Sequence, residues 1–181
     1  MKVSDRFHKG PVQDLLNAVV VQAAEDYREY SAKLIVKPGS RQAAKDLEEV
    51  KSFFLSDDFC FYTKVGGDYI LKKLNEELVS FKDAYEVYRQ TEADLQQEAR
   101  NYARLLLQKQ KCESDAAAIE IKFPDAEKKV HGLIQNLREQ QIKMPEYARK
   151  LVKYPKFDTV MVLATEQLKE DILNGKESLW G

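Results

Sequence analysis

Val12, Leu15, Leu16, Val19, Ala23, Tyr27, Tyr30 and Leu34 recur at steps of three and four, which predicts a helix with one apolar stripe. Pro11 opens it, at the position where a missing N–H costs nothing. The β-branched run Val19-Val20-Val21 weighs slightly against helix. Lys37-Pro38-Gly39 ends the helix, and Ser40 is placed to cap a second one carrying Ala43, Ala44, Leu47, Val50 and Phe54. A four-residue connection between two amphipathic stripes predicts an antiparallel helical hairpin.

The pattern then changes. Ser56 and Asp57 suggest the cap of a short helix running to Tyr62; Val65-Gly66-Gly67 breaks the chain, and Asp68 is placed to cap the next helix. Six aromatics, Phe53, Phe54, Phe59, Phe61, Tyr62 and Tyr69, flank these turns. Large rings bury area efficiently where helices cross, each removing roughly 150–250 Å² from water. A structural knot is the expectation here, and a pocket lining the alternative.

From Asp68 to Phe123 there are 56 residues without Gly or Pro. Leu71, Leu78, Tyr85, Ala99 and Leu106 hold one heptad position, broken by Glu92, while Leu74, Phe81, Tyr88, Leu95 and Tyr102 hold the other. This predicts one long helix with a coiled-coil-like seam. Unbroken to Lys109 it spans roughly 60 Å; Thr91 and Asp94 resemble a capping pair and mark a candidate break. The seam needs a partner, either the N-terminal hairpin or a second copy of the chain, so a homodimer stays open.

Beyond it, residues 118–123 alternate apolar and charged and read as a short strand. Pro124 and Asp125 open a helix carrying Val130, Leu133, Ile134, Leu137 and Gln141, with Gly132 inside it. Pro145 starts a short helix expected to continue until Pro155, with Tyr147, Leu151 and Tyr154 at helical spacing. A last helix begins at Asp158 or Thr165 and stops at Gly175; residues 159–164 are alternatively a strand pairing with 118–123. The expected class is mainly α: an N-terminal hairpin, a long central helix and a smaller C-terminal helical region with room for a two-stranded β element. Two domains, 1–110 and 111–181, meet around residues 111–117, unless the chain is one continuous domain.

Composition adds little to this picture; charge distribution adds more. The formal net charge is −1, which points to neither nucleic acid nor membrane. Between Glu76 and Glu98, however, seven acids stand against two bases, and between Asp125 and Phe157 eight bases stand against four acids. Cys60 and Cys112 read as two reduced thiols. No apolar run is long enough to cross a bilayer, and the first ten residues lack the apolar core of a signal peptide, so a cytoplasmic protein is expected.

Motifs for chemistry are missing. Only His8 and His131 are present, with no His/Cys spacing for a metal, no phosphate-cradling glycine loop and no G-x-S-x-G elbow. No catalytic residue, metal or cofactor is expected, and the chain is read as a non-enzyme. The carboxylates Glu76, Glu77, Asp83, Glu86, Glu92 and Asp94 are candidates for contact with a basic groove on a partner, in imitation of nucleic-acid phosphates; a solvated helix face is the plain alternative. Arg149, Lys150, Lys153, Tyr154 and Lys156, interleaved with Tyr147 and Phe157, combine cations with rings and suit nucleic acid or an acidic partner.

One stretch carries a resemblance. Residues 18–77 form a paired-helix segment with a Pro-containing turn, followed by Phe53, Phe54, Ser56, Phe59, Thr63, Gly66, Gly67, Tyr69, Ile70, Leu71 and Leu74. This arrangement resembles small, largely uncharacterised phage and mobile-element proteins of gut Clostridia. Residues 78–181 carry no such likeness. A group of type II-A anti-CRISPR proteins is similar in host range and size. The resemblance implies an accessory protein working in the bacterial cytoplasm, in its sharpest form one that binds a CRISPR effector nuclease or its guide complex and blocks target-DNA engagement. A phage nucleic-acid-associated protein for replication, packaging or regulation is the alternative. The resemblance brings no functional residues with it.

Overall fold

In the computed structural model, which describes residues 10–111, 119 and 122–180, the chain is helical almost throughout. The helices are α1 (Pro11–Val36), α2 (Arg41–Phe54), α3 (Gly67–Lys111), α4 (Phe123–Lys143), α5 (Glu146–Arg149) and α6 (Phe157–Leu173), with a 3₁₀ turn over Asp57–Phe61. No strand occurs among the described residues, so the mainly α class stands and the β element does not. Residues 159–164 lie inside α6, where Met161, Ala164 and Leu168 are buried at steps of three and four. Burial on one helical face overrides the β-branched character of that segment. Half of its expected partner, 118–123, lies outside the described residues, and Ile119 and Phe123 are helical.

The chain divides into two compact units: the described residues of Met1–Tyr85 with Met144–Val152, and of Glu86–Lys143 with Lys153–Gly181. Helix α3 contributes to both. The boundary expected around 111–117 falls largely outside the described residues.

In the first unit, α1 and α2 form the expected hairpin, and Ser40 Oγ accepts a hydrogen bond from the Ala43 N–H at 3.4 Å. Tyr27, Leu47, Phe54, Phe59, Leu74 and Leu78 make the buried core. The aromatic stretch is a knot, as expected: Phe53 meets Phe54, Phe59 and Tyr62 edge-on at centroid distances of 5.6, 5.3 and 5.2 Å. Phe61 and Tyr69 do not join it and are 71% and 55% exposed. Gly67 begins α3, and Asp68 sits within its first turn rather than capping it. Gly67 is required by close approach: a Cβ there would fall inside the Phe54 carbonyl oxygen. The start of α3 therefore packs directly on the backbone at the end of α2.

The apolar stripe expected along all of α1 is only partly buried. Val20, Ala23, Ala24, Tyr27, Tyr30 and Leu34 pack into the core, whereas Val12, Leu15 and Val19 are exposed. The cause is length. Helix α1 has 26 residues and α2 only 14, roughly 39 Å against 21 Å at about 1.5 Å per residue. An antiparallel partner that short cannot cover the first turns.

In the second unit, Tyr88, Thr91, Leu95, Ala99, Ala103 and Leu107 are the buried line of α3, facing a core that includes Val130, Leu137, Met161 and Leu168. Beyond Leu95 the line moves from the expected Tyr102 and Leu106 to Ala103 and Leu107. A straight helix drifts by roughly 20° per heptad against a strict seven-residue repeat, and the late i+4 steps follow that drift. Helix α3 is unbroken at Thr91, whose Oγ1 donates to the Val87 carbonyl and accepts from Gln140 Nε2. The seam is buried within the chain itself, so it supplies no reason to expect a second copy.

Helix α5 ends at Arg149, short of the expected stop before Pro155. Val152 is buried instead, and the Lys153 carbonyl accepts from the Tyr88 hydroxyl at 3.0 Å. These long-range contacts hold the chain in an extended path up to α6, so Tyr147, Leu151 and Tyr154 do not share a helical face. No helix among the described residues is long and apolar enough to cross a membrane.

Candidate functional site

The six candidate carboxylates are distributed over both units, and ion pairs already engage half of them. In the first unit, Arg28 holds Glu77 with two hydrogen bonds, at 2.8 and 3.2 Å, and Lys73 holds Glu76 at 2.7 Å. The Glu76 carboxyl is accordingly held below its usual range by the Lys73 hydrogen bond. Asp83 is exposed and has no ion pair with a described residue. With about 100° between successive residues, Glu76 and Asp83 share one stripe and Glu77 lies off it.

In the second unit, Glu92 lies 3.5 Å from Arg89, and Asp94 accepts from the neutral Gln90 amide at 2.9 Å. Glu86 is exposed without an ion pair to a described residue. Helical rotation carries Glu92 nearly to the opposite side from Asp94, toward the groove between α3 and α6. The uncompensated carboxylates are thus Asp83 in the first unit and Glu86 and Asp94 in the second.

The basic-aromatic candidates also separate. Arg149 and Lys150 belong to the first unit; Lys153, Tyr154 and Lys156 belong to the second. Tyr147 is structural: its ring meets Phe81 edge-on at 6.1 Å, and burial pushes its hydroxyl pKa up. Arg149 donates to the Met144 carbonyl at 3.2 Å. Lys150 joins Lys33 and Lys37 around a groove of about 470 Å³ at the start of α2, with Ser40, Gln42 and Asp46. Two of these lysines are 113 or more residues distant from Lys150 in sequence, so local pattern held no signal of the grouping. Tyr154 carries the Arg138 guanidinium 6.0 Å from its ring centre, and Lys156 is exposed just before α6.

A larger groove, about 640 Å³, runs between α3 and α6 in the second unit. Leu95, Ala99, Val160, Leu163 and Ala164 line it with Glu92, Gln96, Glu166, Gln167 and Glu170. At one end, Arg100 is bound by Asp171 at 2.5 Å and Glu177 at 2.7 Å, and Arg104 by Glu177 at 2.6 Å. The Arg100 hydrogen bond is the main cause holding each of these two carboxyls below the usual range. Among the described residues no group of three or more His, Cys, Asp or Glu is arranged to hold a metal. His131 is an exposed ring stacked on Phe157 at 4.2 Å, and Cys60 is an exposed free thiol.

Compared with known proteins, the chain matches no family model, no curated protein and no solved structure.

Proposed function

We propose that the chain is a non-enzymatic binding protein of a phage or mobile element, acting in the bacterial cytoplasm, that inhibits a type II CRISPR effector nuclease by blocking target-DNA engagement. The resemblance of residues 18–77 supplies the setting. The observation that carries the mechanism is the pair Glu86 and Asp94 of the second unit: exposed carboxylates without an ion pair to a described residue, on a helix whose other side is buried core. Fixed on a helix, they face a basic channel without the ordering cost of a loop. Such channels read backbone charge and shape, which leaves them open to an acidic competitor.

The test mixes the chain with a guide-loaded type II nuclease and measures DNA binding and cleavage together. Wild type is expected to abolish both, and the Glu86→Lys, Asp94→Lys variant to restore both with helicity unchanged. Full inhibition by the variant would remove these residues from the contact. Lost cleavage with intact DNA binding would move the contact to the nuclease machinery.

The gathering of Lys33, Lys37 and Lys150 favours a second reading, a nucleic-acid-associated protein of the same elements. Salt-sensitive binding to bare DNA or RNA in the absence of any nuclease is its signature.

A further inference from the structure

The groove between α3 and α6 has the two properties that define a seat for a basic amphipathic helix. Its walls are apolar where they are deep: Leu95, Ala99 and Ala164 are buried beneath it, and Leu163 stands in it 58% exposed. Its rim is acidic, with Glu92 on α3 and Glu166 and Glu170 on α6. The one guanidinium in the lining, Arg100, is already committed to Asp171 and Glu177.

Glu166 and Glu170 are the informative pair. They are like charges at i and i+4, an arrangement that is unfavourable on an isolated helix. Neither has an ion pair with a described residue; Lys169, on the same helix, pairs with neither. A cation laid across the groove would relieve this repulsion while an apolar side chain covered Leu163. The lining runs from Glu92 to Arg100 and from Val160 to Glu170, roughly 12 and 15 Å of helix. That length takes two to three turns of a partner helix.

We infer that this groove binds a lysine- or arginine-rich amphipathic helix of a partner protein, with the apolar side chains on Leu163 and the cations on Glu92, Glu166 and Glu170. The inference deepens the proposed function and rests on it in taking the partner to be a protein with a basic contact surface. It adds that the contact includes an inserted helix, held by residues other than Glu86 and Asp94.

The probe is a synthetic fourteen-residue leucine–lysine amphipathic peptide, titrated into the full chain and followed by amide chemical shifts. Saturable binding is expected, with shifts concentrated at residues 92–100 and 160–170. Binding should weaken at least about tenfold in the Glu166→Lys, Glu170→Lys variant, since like charges facing each other across an interface are strongly unfavourable. Leu163→Ser, an exposed position, should weaken it without changing helicity. Absence of binding, shifts elsewhere, equal binding of a leucine–glutamate peptide, or affinity unchanged in both variants overturns the inference. So does self-association that covers residues 160–170, which would make the occupant a second copy. The nuclease assay separates the two levels. Inhibition retained by the Glu166→Lys, Glu170→Lys variant overturns the groove as the contact and leaves the proposed function standing. Peptide binding as expected, with no inhibition by wild type, overturns the proposed function and leaves the groove.

Discussion

At the scale of single residues, two glycines in helices should respond to the same substitution with opposite signs. At Gly67 the Phe54 backbone occupies the space a methyl group needs, so Gly67→Ala must push α2 and α3 apart. We expect destabilisation of about 1–3 kcal/mol, the usual cost of overpacking. Gly132 lies in α4 with open space around it, so Gly132→Ala should stabilise by about 0.5–1 kcal/mol through helix propensity. Denaturant unfolding of both variants checks the pair. The Arg100 cluster adds a pH effect. Asp171 and Glu177 are held below their unfolded values by the arginines, so their contribution is complete above about pH 5 and lost as pH falls through the lowered folded values. Acid titration of unfolding should show this loss, and Asp171→Asn with Glu177→Gln should flatten it.

At the scale of elements, the exposed start of α1 makes a clear test of what packs. Leu15→Lys and Val19→Lys should change stability by no more than about 0.5 kcal/mol, as surface changes do, although both residues fit the helical stripe. A large loss in thermal unfolding would mean that the first turns are covered. This case also shows where periodicity stops informing. It located α1, α2, α3 and the Ser40 cap, because helix formation and capping are decided within a few residues. It could not say that α2 is too short to cover Val12 and Leu15, which depends on two elements together. The apolar run around Val160 left helix and strand both open for the same reason, since burial of Met161 and Leu168 against other helices decided that segment. The candidate carboxylates were visible by type, yet Arg28 reaching Glu77 from 49 residues away was not. The groove was equally hidden, since only folding brings Glu166 and Glu170 beside Glu92.

At the scale of the whole molecule, each unit is assembled from separated stretches of chain. The nine residues Met144–Val152 complete the first unit, placing Ala148 at no solvent exposure and Tyr147 on Phe81. Ala148→Glu should therefore destabilise by about 3 kcal/mol or more, the effect of burying an unpaired charge. Hydrogen exchange should report the loss in α1 and α2, far away in sequence. Protection unchanged in those helices would show that the returning segment is dispensable.

That path through the two units also sets an order of events during synthesis. When the hairpin, the aromatic knot and all of α3 have left the ribosome, neither unit has its last piece. The first can close once Val152 has emerged. The second waits longer, for α6 and for Leu179, which is buried and whose carbonyl accepts a hydrogen bond from Gln108 at 2.7 Å. Until then the buried faces of α3 stand open to water, and apolar surface exposed in this transient way favours aggregation.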